Sequence, residues 1–194
     1  MLTSVSVQCG SALPGTTALR GVVIEVGKLL ARSGIHVIFG GVKTGLMGLL
    51  ATSVLEHGGQ ITGVIPRFLV DDGIACESLT SLRIVETMDE RKKLMLTLAD
   101  AVVVLPGGVG TQDEFWDTLT GAQLGLHSKP CGLLNVSGYY DSLLAFIDGA
   151  LAEGLLSPSD RDNVIVSSDP ESLLTNLSTV VAERNRFYHG EESS

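Results

Sequence analysis

A chain of 194 residues is long enough to bury one substantial core, and a single domain is its simplest organisation. A formal net charge of −9 excludes the broad basic face that nucleic-acid binding needs, and although 44% of the residues are hydrophobic, no apolar run approaches the roughly 18 residues of a membrane span. Three cysteines (Cys9, Cys76, Cys131) without CxxC spacing exclude a disulfide framework or a zinc site; with no basic stretch or cleavage site ahead of the first strand, they indicate reduced thiols and a cytoplasmic protein.

Short β-branched runs alternate with longer helical stretches along the whole chain. Strands are predicted at 5–8, 36–39, 61–65, 82–85, 101–105, 131–136 and 164–166, and helices at 16–33, 46–57, 88–98, 112–125, 139–153 and 170–183. Gly34, the Gly58-Gly59 pair and Gly154 fall where helices should end in a left-handed turn. The alternation predicts an α/β fold, a doubly wound, mainly parallel sheet of about seven strands with helices on both faces. One domain covers 1–185, and the polar tail at 186–194 is expected to be disordered.

In such a sheet, ligands bind beyond the carboxyl ends of the strands, near a topological switch point. The segments that follow the strands therefore carry the chemistry: Cys9-Gly10-Ser11, Gly40-Gly41-Val42-Lys43-Thr44-Gly45, Thr87-Met88-Asp89, and Pro106-Gly107-Gly108-Val109-Gly110-Thr111. From these, Ser11, Gly41, Thr44, Gly45 and Met88 are candidate ligand contacts. The last segment runs from a buried strand through a glycine-rich turn into a helix start. Such a turn presents backbone N–H groups and a positive helix end to an anion, typically a phosphate. A second glycine cluster at 40–48 strengthens the phosphate reading of Gly107, Gly108, Val109, Gly110 and Thr111.

Two charged side chains flank this turn. Thr111-x-x-Glu114 has the spacing of a capping box, in which Glu114 folds back onto the cap N–H, a role compatible with contact to a ligand on the preceding loop. Thr87-x-x-Glu90 is a second capping box, so a helix begins near Met88 with an apolar stripe of Met88, Leu94, Met95 and Leu98. Arg91 falls inside that stripe, where a guanidinium is costly unless it meets an anion or a carboxylate. Lys93 reads as a solvated charge, and Lys92 is divided between that and a functional role. Phe115 and Trp116 are core or subunit-interface residues by the same reading.

Other patterns fall short. Gly41-Val42-Lys43-Thr44 lacks the Gly-Lys adjacency of a P-loop, and Gly108-x-Gly110-x-x-Asp113 lacks the third glycine of a dinucleotide fingerprint. The four histidines have no metal-ligand spacing, and there is no serine nucleophile elbow.

Taken together, Met88-x-x-Arg91-Lys92 and Pro106-Gly107-Gly108-x-Gly110-Thr111-x-x-Glu114 closely resemble the LONELY GUY family, often labelled lysine decarboxylase-like. Cys9-Gly10-Ser11, Gly45-Leu46-Met47-Gly48, Gly63-Val64-Ile65-Pro66 and Ala122-Gln123-Leu124-Gly125 support the resemblance, which covers about residues 5–180. It implies a Rossmann-like, usually dimeric phosphoribohydrolase that splits cytokinin riboside 5′-monophosphates, and often AMP, into free base and ribose 5-phosphate without a metal or redox cofactor. The family's catalytic arginine and glutamate fall on Arg91 and Glu114, its phosphate loop on Gly107 to Thr111, and further contacts on Lys92 and Thr120. Val42, Gly73 and Gly121 depart from the common pattern, at positions that bear on the base pocket and the interface. Two rival readings remain: a non-catalytic nucleotide or molybdenum-cofactor carrier of the same fold, and a pyridoxal-phosphate decarboxylase using Lys43, the one loop lysine able to form a Schiff base.

Overall fold

Every expected strand forms. The computed structural model describes residues 1–190 and contains β1 (Ser4–Gln8), α1 (Thr17–Arg32), β2 (His36–Phe39), α2 (Gly45–Glu56), β3 (Ile61–Pro66), α3 (Arg67–Asp71), β4 (Ser81–Val85), α4 (Met88–Thr97), β5 (Ala101–Val104), α5 (Val109–Gln123), β6 (Cys131–Leu134), α6 (Asp141–Ala152), α7 (Pro158–Asp162), β7 (Val164–Ser167) and α8 (Pro170–Gly190). All seven strands pair in parallel, in the order β4-β3-β2-β1-β5-β6-β7. After β1 the chain winds outward to β4, then returns to the other flank of β1 with β5. The switch point predicted from the alternation thus lies between β1 and β5, where the segments 9–11 and 106–110 meet.

The period of two along each strand divides the core. Val5, Val7, Val37, Phe39, Ala101 and Val103 face one layer, filled by α1, α2 and α8. Val102, Val104 and Leu133 face Phe115 of α5, Tyr140 at the N-cap of α6 and Ile147 of α6 on the other side. Ile38 and Val64 meet Met95 of α4 on that same second face. The chain is therefore a doubly wound α/β protein.

Gly34, Gly58 and Gly154 close helices with φ of +66°, +74° and +72°, the left-handed turn that glycine adopts without steric cost. Two short helices, α3 and α7, were not predicted, because each is a single turn with no periodic stripe to announce it. The last helix runs on to Gly190, so residues 186–190 of the expected tail are helical, and 191–194 lie outside the described residues. Among the described residues, no helix is long and apolar enough to cross a membrane.

Candidate active site

At the carboxyl edge of the sheet, between the segments after β1 and β5, lies a cleft of about 650 Å³. One wall is the turn from Pro106 to Thr111. Gly108 occupies the N-cap of α5, and the first helical hydrogen bond runs from the Gln112 N–H to the Gly108 carbonyl (3.1 Å). The N–H groups of Val109, Gly110 and Thr111 are consequently unclaimed within the helix, at its positive end. A Cβ placed on Gly108 or Gly110 would meet nothing within 4 Å, so a ligand can approach this backbone closely. Leu13, Leu19, Leu69, Ile74 and Met88 give the same cleft an apolar wall.

Arg91 and Glu114 meet at the cleft, both buried. The Arg91 Nη1 donates to Glu114 Oε1 at 2.5 Å, and its Nε donates to the Val64 carbonyl at 3.1 Å. These contacts join three elements: α4 supplies the guanidinium, α5 the carboxylate, and β3 a carbonyl that fixes the orientation. Burial raises Glu114 above the usual carboxylate range, and the adjacent Arg91 opposes that rise without cancelling it. Cys9, also on the cleft wall, is held neutral: burial and the nearby Glu114 carboxylate push its thiol well above the ordinary range. It is no nucleophile at neutral pH.

The pair also explains a glycine. A Cβ on Gly40 would lie 1.9 Å from Arg91 Nη2, so only a residue without a side chain lets the guanidinium cross the end of β2.

Several expectations are corrected by this geometry. Glu114 does not cap α5: the helix starts at Val109, which places Thr111 and Glu114 inside it, and the carboxylate turns to Arg91. The second glycine cluster serves the chain and presents no open turn. Gly45, at φ +65°, packs on the Ser11 backbone, Gly41 on Ile65, and Gly48 on the Lys43 carbonyl, while the Leu46 and Met47 N–H groups at the start of α2 are taken by the Gly10 carbonyl. Gly41 and Gly45 accordingly do not line the cleft, whereas Ser11, Thr44 and Met88 do. The expected stripe of α4 is only half buried: Met95 is enclosed, but Met88 and Leu98 are 38% and 41% exposed. Thr87 does accept from the Glu90 N–H (3.1 Å), and Glu90 answers on the Glu86 N–H, one residue before the capping-box position.

Lys92 and Thr120 stand outside the cleft lining. Lys92 Nζ bridges to Asp113 (3.2 Å) and Asp117 (3.7 Å), tying α4 to α5 beside the Arg91–Glu114 pair. Partial burial lowers its proton affinity, but Asp113, Asp117 and Asp89 together raise the ammonium above its usual range. Thr120 is an exposed residue farther along α5. Of the three departures, Val42 lines the cleft and bridges to Ala75, Gly73 makes a φ +72° turn after α3, and Gly121 leaves room for the His127 ring.

Sequence reasoning missed the apolar wall and Tyr139. The Tyr139 hydroxyl, on the cleft lining, donates to the Gly107 carbonyl (2.8 Å) and that of Tyr140 to the Leu105 carbonyl (2.7 Å), so this aromatic pair holds the glycine turn and the residue that enters it. Its signal was the position of both tyrosines just after the sixth strand, on the carboxyl edge already identified. Among the described residues, no three His, Cys, Asp or Glu side chains form a metal-ligand set.

Residues 47–177 match the family described as "Possible lysine decarboxylase". Decarboxylation through pyridoxal phosphate requires a Schiff-base lysine, and neither Lys43 nor any other lysine lines the cleft. The cytokinin riboside 5′-monophosphate phosphoribohydrolase of Rhodococcoides fascians is 46% identical over 88% of this chain and 87% of its own length. LOG1 of Arabidopsis thaliana, of the same name, is 38% identical over 94% of this chain and 85% of its own. Among solved structures, the molybdenum cofactor binding protein of Rippkaea orientalis aligns with a TM-score of 0.69 over 93% of this chain and 98% of its own, at 18% identity, a likeness of fold alone. The chain belongs to the LONELY GUY family, whose relatives are named for hydrolysing cytokinin riboside 5′-monophosphates.

Proposed function

We propose that this protein is a phosphoribohydrolase that cleaves the N-glycosidic bond of cytokinin riboside 5′-monophosphates and of AMP, releasing the free base and ribose 5-phosphate. The single observation that carries the reading is the buried Arg91–Glu114 pair beside the open first turn of α5. The backbone N–H groups at Val109, Gly110 and Thr111 hold the 5′-phosphate, without a lysine and in spite of the net charge of −9. That anchor sets the anomeric carbon against Glu114, so that most of the orientational entropy is removed on binding.

Cleavage of the bond from the anomeric carbon to the base nitrogen develops positive charge on the ribose. An ionised Glu114 stabilises that charge or takes a proton from the attacking water, and the base leaves carrying the bond's electron pair and a proton. Arg91 holds Glu114 in this attitude. The apolar wall of Leu13, Leu19, Leu69, Ile74 and Met88 receives the base and an apolar substituent on it.

Two finer assignments accompany this reading. The protein is cytoplasmic, with its three cysteines as free thiols, and it is a homodimer that covers the exposed Trp116 and Phe146, whose rings meet edge to face at 5.9 Å. Sedimentation of the purified chain tests the dimer.

Incubation with AMP and with isopentenyladenosine monophosphate, followed by chromatography for released base, tests the activity. Release of base supports it. Saturable nucleotide binding with no base released would instead identify a carrier.

A further inference from the structure

The central strand of a parallel sheet, covered on both faces, is normally apolar throughout. β1 is not. Its residues alternate Val5 and Val7 toward one layer with Ser6 and Gln8 toward α4 and α5, and Ser6 and Gln8 are 1% and 6% exposed.

Gln8 sits beneath the second turn of α5. Its Nε2 donates to Thr118 Oγ1 (3.2 Å) and to the backbone carbonyl of Glu114 (3.4 Å), and Thr118 Oγ1 donates to that carbonyl in turn (2.8 Å). A carbonyl can only accept, so it fixes which end of the amide faces it. Gln8 Oε1 then points away, buried and with no hydrogen-bond partner among the described residues. A buried carbonyl left in this state is costly. A cavity of about 20 Å³ between β1, α4 and α5 has Ser6, Gln8, Lys92, Glu114, Asp117 and Thr118 as its polar lining residues. One water needs about 10–15 Å³ and two to four polar partners. The volume suffices for one water, and polar residues line it.

We propose that this cavity is a single-water site, and that Gln8, with that water, is a positioning residue for Glu114. The inference rests on the reading of Glu114 as the acting carboxylate. The water donates to Gln8 Oε1, and the polar groups around the cavity complete its hydrogen bonds. Gln8 thereby holds the Glu114 main chain from below, while Arg91 holds its carboxylate from the side. The charged and titratable groups that face Glu114 are Arg91 and Lys92 from α4, Asp113 from α5, and Cys9 from the segment after β1. None of them makes the contact that Gln8 makes to the Glu114 backbone.

Gln8→Met keeps side-chain length and removes the amide; Gln8→Glu keeps the shape and adds a negative charge near Glu114. In a high-resolution crystal structure of the unaltered chain, one ordered water within hydrogen-bond reach of Gln8 Oε1 is expected, and its loss in Gln8→Met. Turnover of AMP should fall roughly tenfold in Gln8→Met with KM within about twofold, the mark of a displaced reacting group rather than lost binding. Carbon-13 NMR titration should place the Glu114 midpoint higher in Gln8→Glu than in the unaltered chain. A dry cavity in the density overturns the water site. A lowered melting temperature with an unchanged Glu114 titration and unchanged turnover overturns the positioning role. If the unaltered chain releases no base from AMP, the reading of the site has failed by itself, and the density and the titration still decide this proposal.

Discussion

The glycines at 40–48 are enclosed by other atoms of the chain, whereas Gly108 and Gly110, at the same edge of the sheet, have open space where a side chain would be. In the first group, glycine lets backbone pass close to backbone and lets Arg91 cross β2. In the second, glycine leaves a helix end bare for an outside group. Similar composition therefore serves opposite purposes, and the difference is visible only in what lies opposite each Cα. The lesson concerns phosphate motifs generally: an open N–H row identifies a site, and glycine content alone does not.

The strongest way to break this comparison is to remove the group that the open turn serves. Glu114→Gln should lower kcat by about 10²–10⁴-fold. Because burial raises Glu114, its fold favours the protonated form: that stability is fully present below the ordinary carboxylate range and is lost as pH rises through the raised value. Glu114→Gln cannot ionise, so it should lack this pH-dependent loss, on top of a constant cost for leaving the buried Arg91 guanidinium without its carboxylate, as calorimetry across pH would record. In the active protein, the same direction moves the acid limb of kcat/KM above the usual carboxylate range, measurable in a pH–rate profile.

Arg91→Ala should cost about 3–5 kcal/mol in urea unfolding, since it strands a buried carboxylate, and should abolish turnover as well.

The two glycine turns should then respond oppositely to one methyl group. Gly45→Ala should destabilise the chain by about 3 kcal/mol, through a left-handed φ of +65° and contact with the Ser11 backbone. Gly110→Ala lies in an open first helical turn, so stability should rise by about 0.5 kcal/mol while KM for the nucleotide rises roughly tenfold. A Gly110→Ala variant that binds nucleotide normally would mean that the phosphate lies elsewhere.

An effect on stability alone is expected at the start of α4. Thr87→Ala removes the hydroxyl that accepts from Glu90 N–H and should cost about 1 kcal/mol in unfolding, with KM unchanged.

Much of this was legible in the chain. Strand and helix positions follow from periods of two and 3.6, which are local, and the glycine turn before α5 follows from residues within one segment. Gly34, Gly58 and Gly154 are legible for the same reason, because a helix end is satisfied by its own neighbours. Arg91 stood out as a charge on a face expected to be apolar, and Glu114 as an acid in the turn after a glycine loop.

Their meeting across 23 residues was not a local matter, since it depends on β5 returning beside β1 and so bringing α5 next to α4. The same holds for Tyr139 bonded to Gly107, for Lys92 turned to Asp113 instead of the cleft, and for the enclosed glycines at 40–48. Sequence by itself determined the seven strands, the six longer helices and the glycine turn before α5, because backbone hydrogen bonding and side-chain period act over a few residues. Only the tertiary structure decided which charges pair and which amides stay open, because those outcomes depend on strand order, which no local pattern contains.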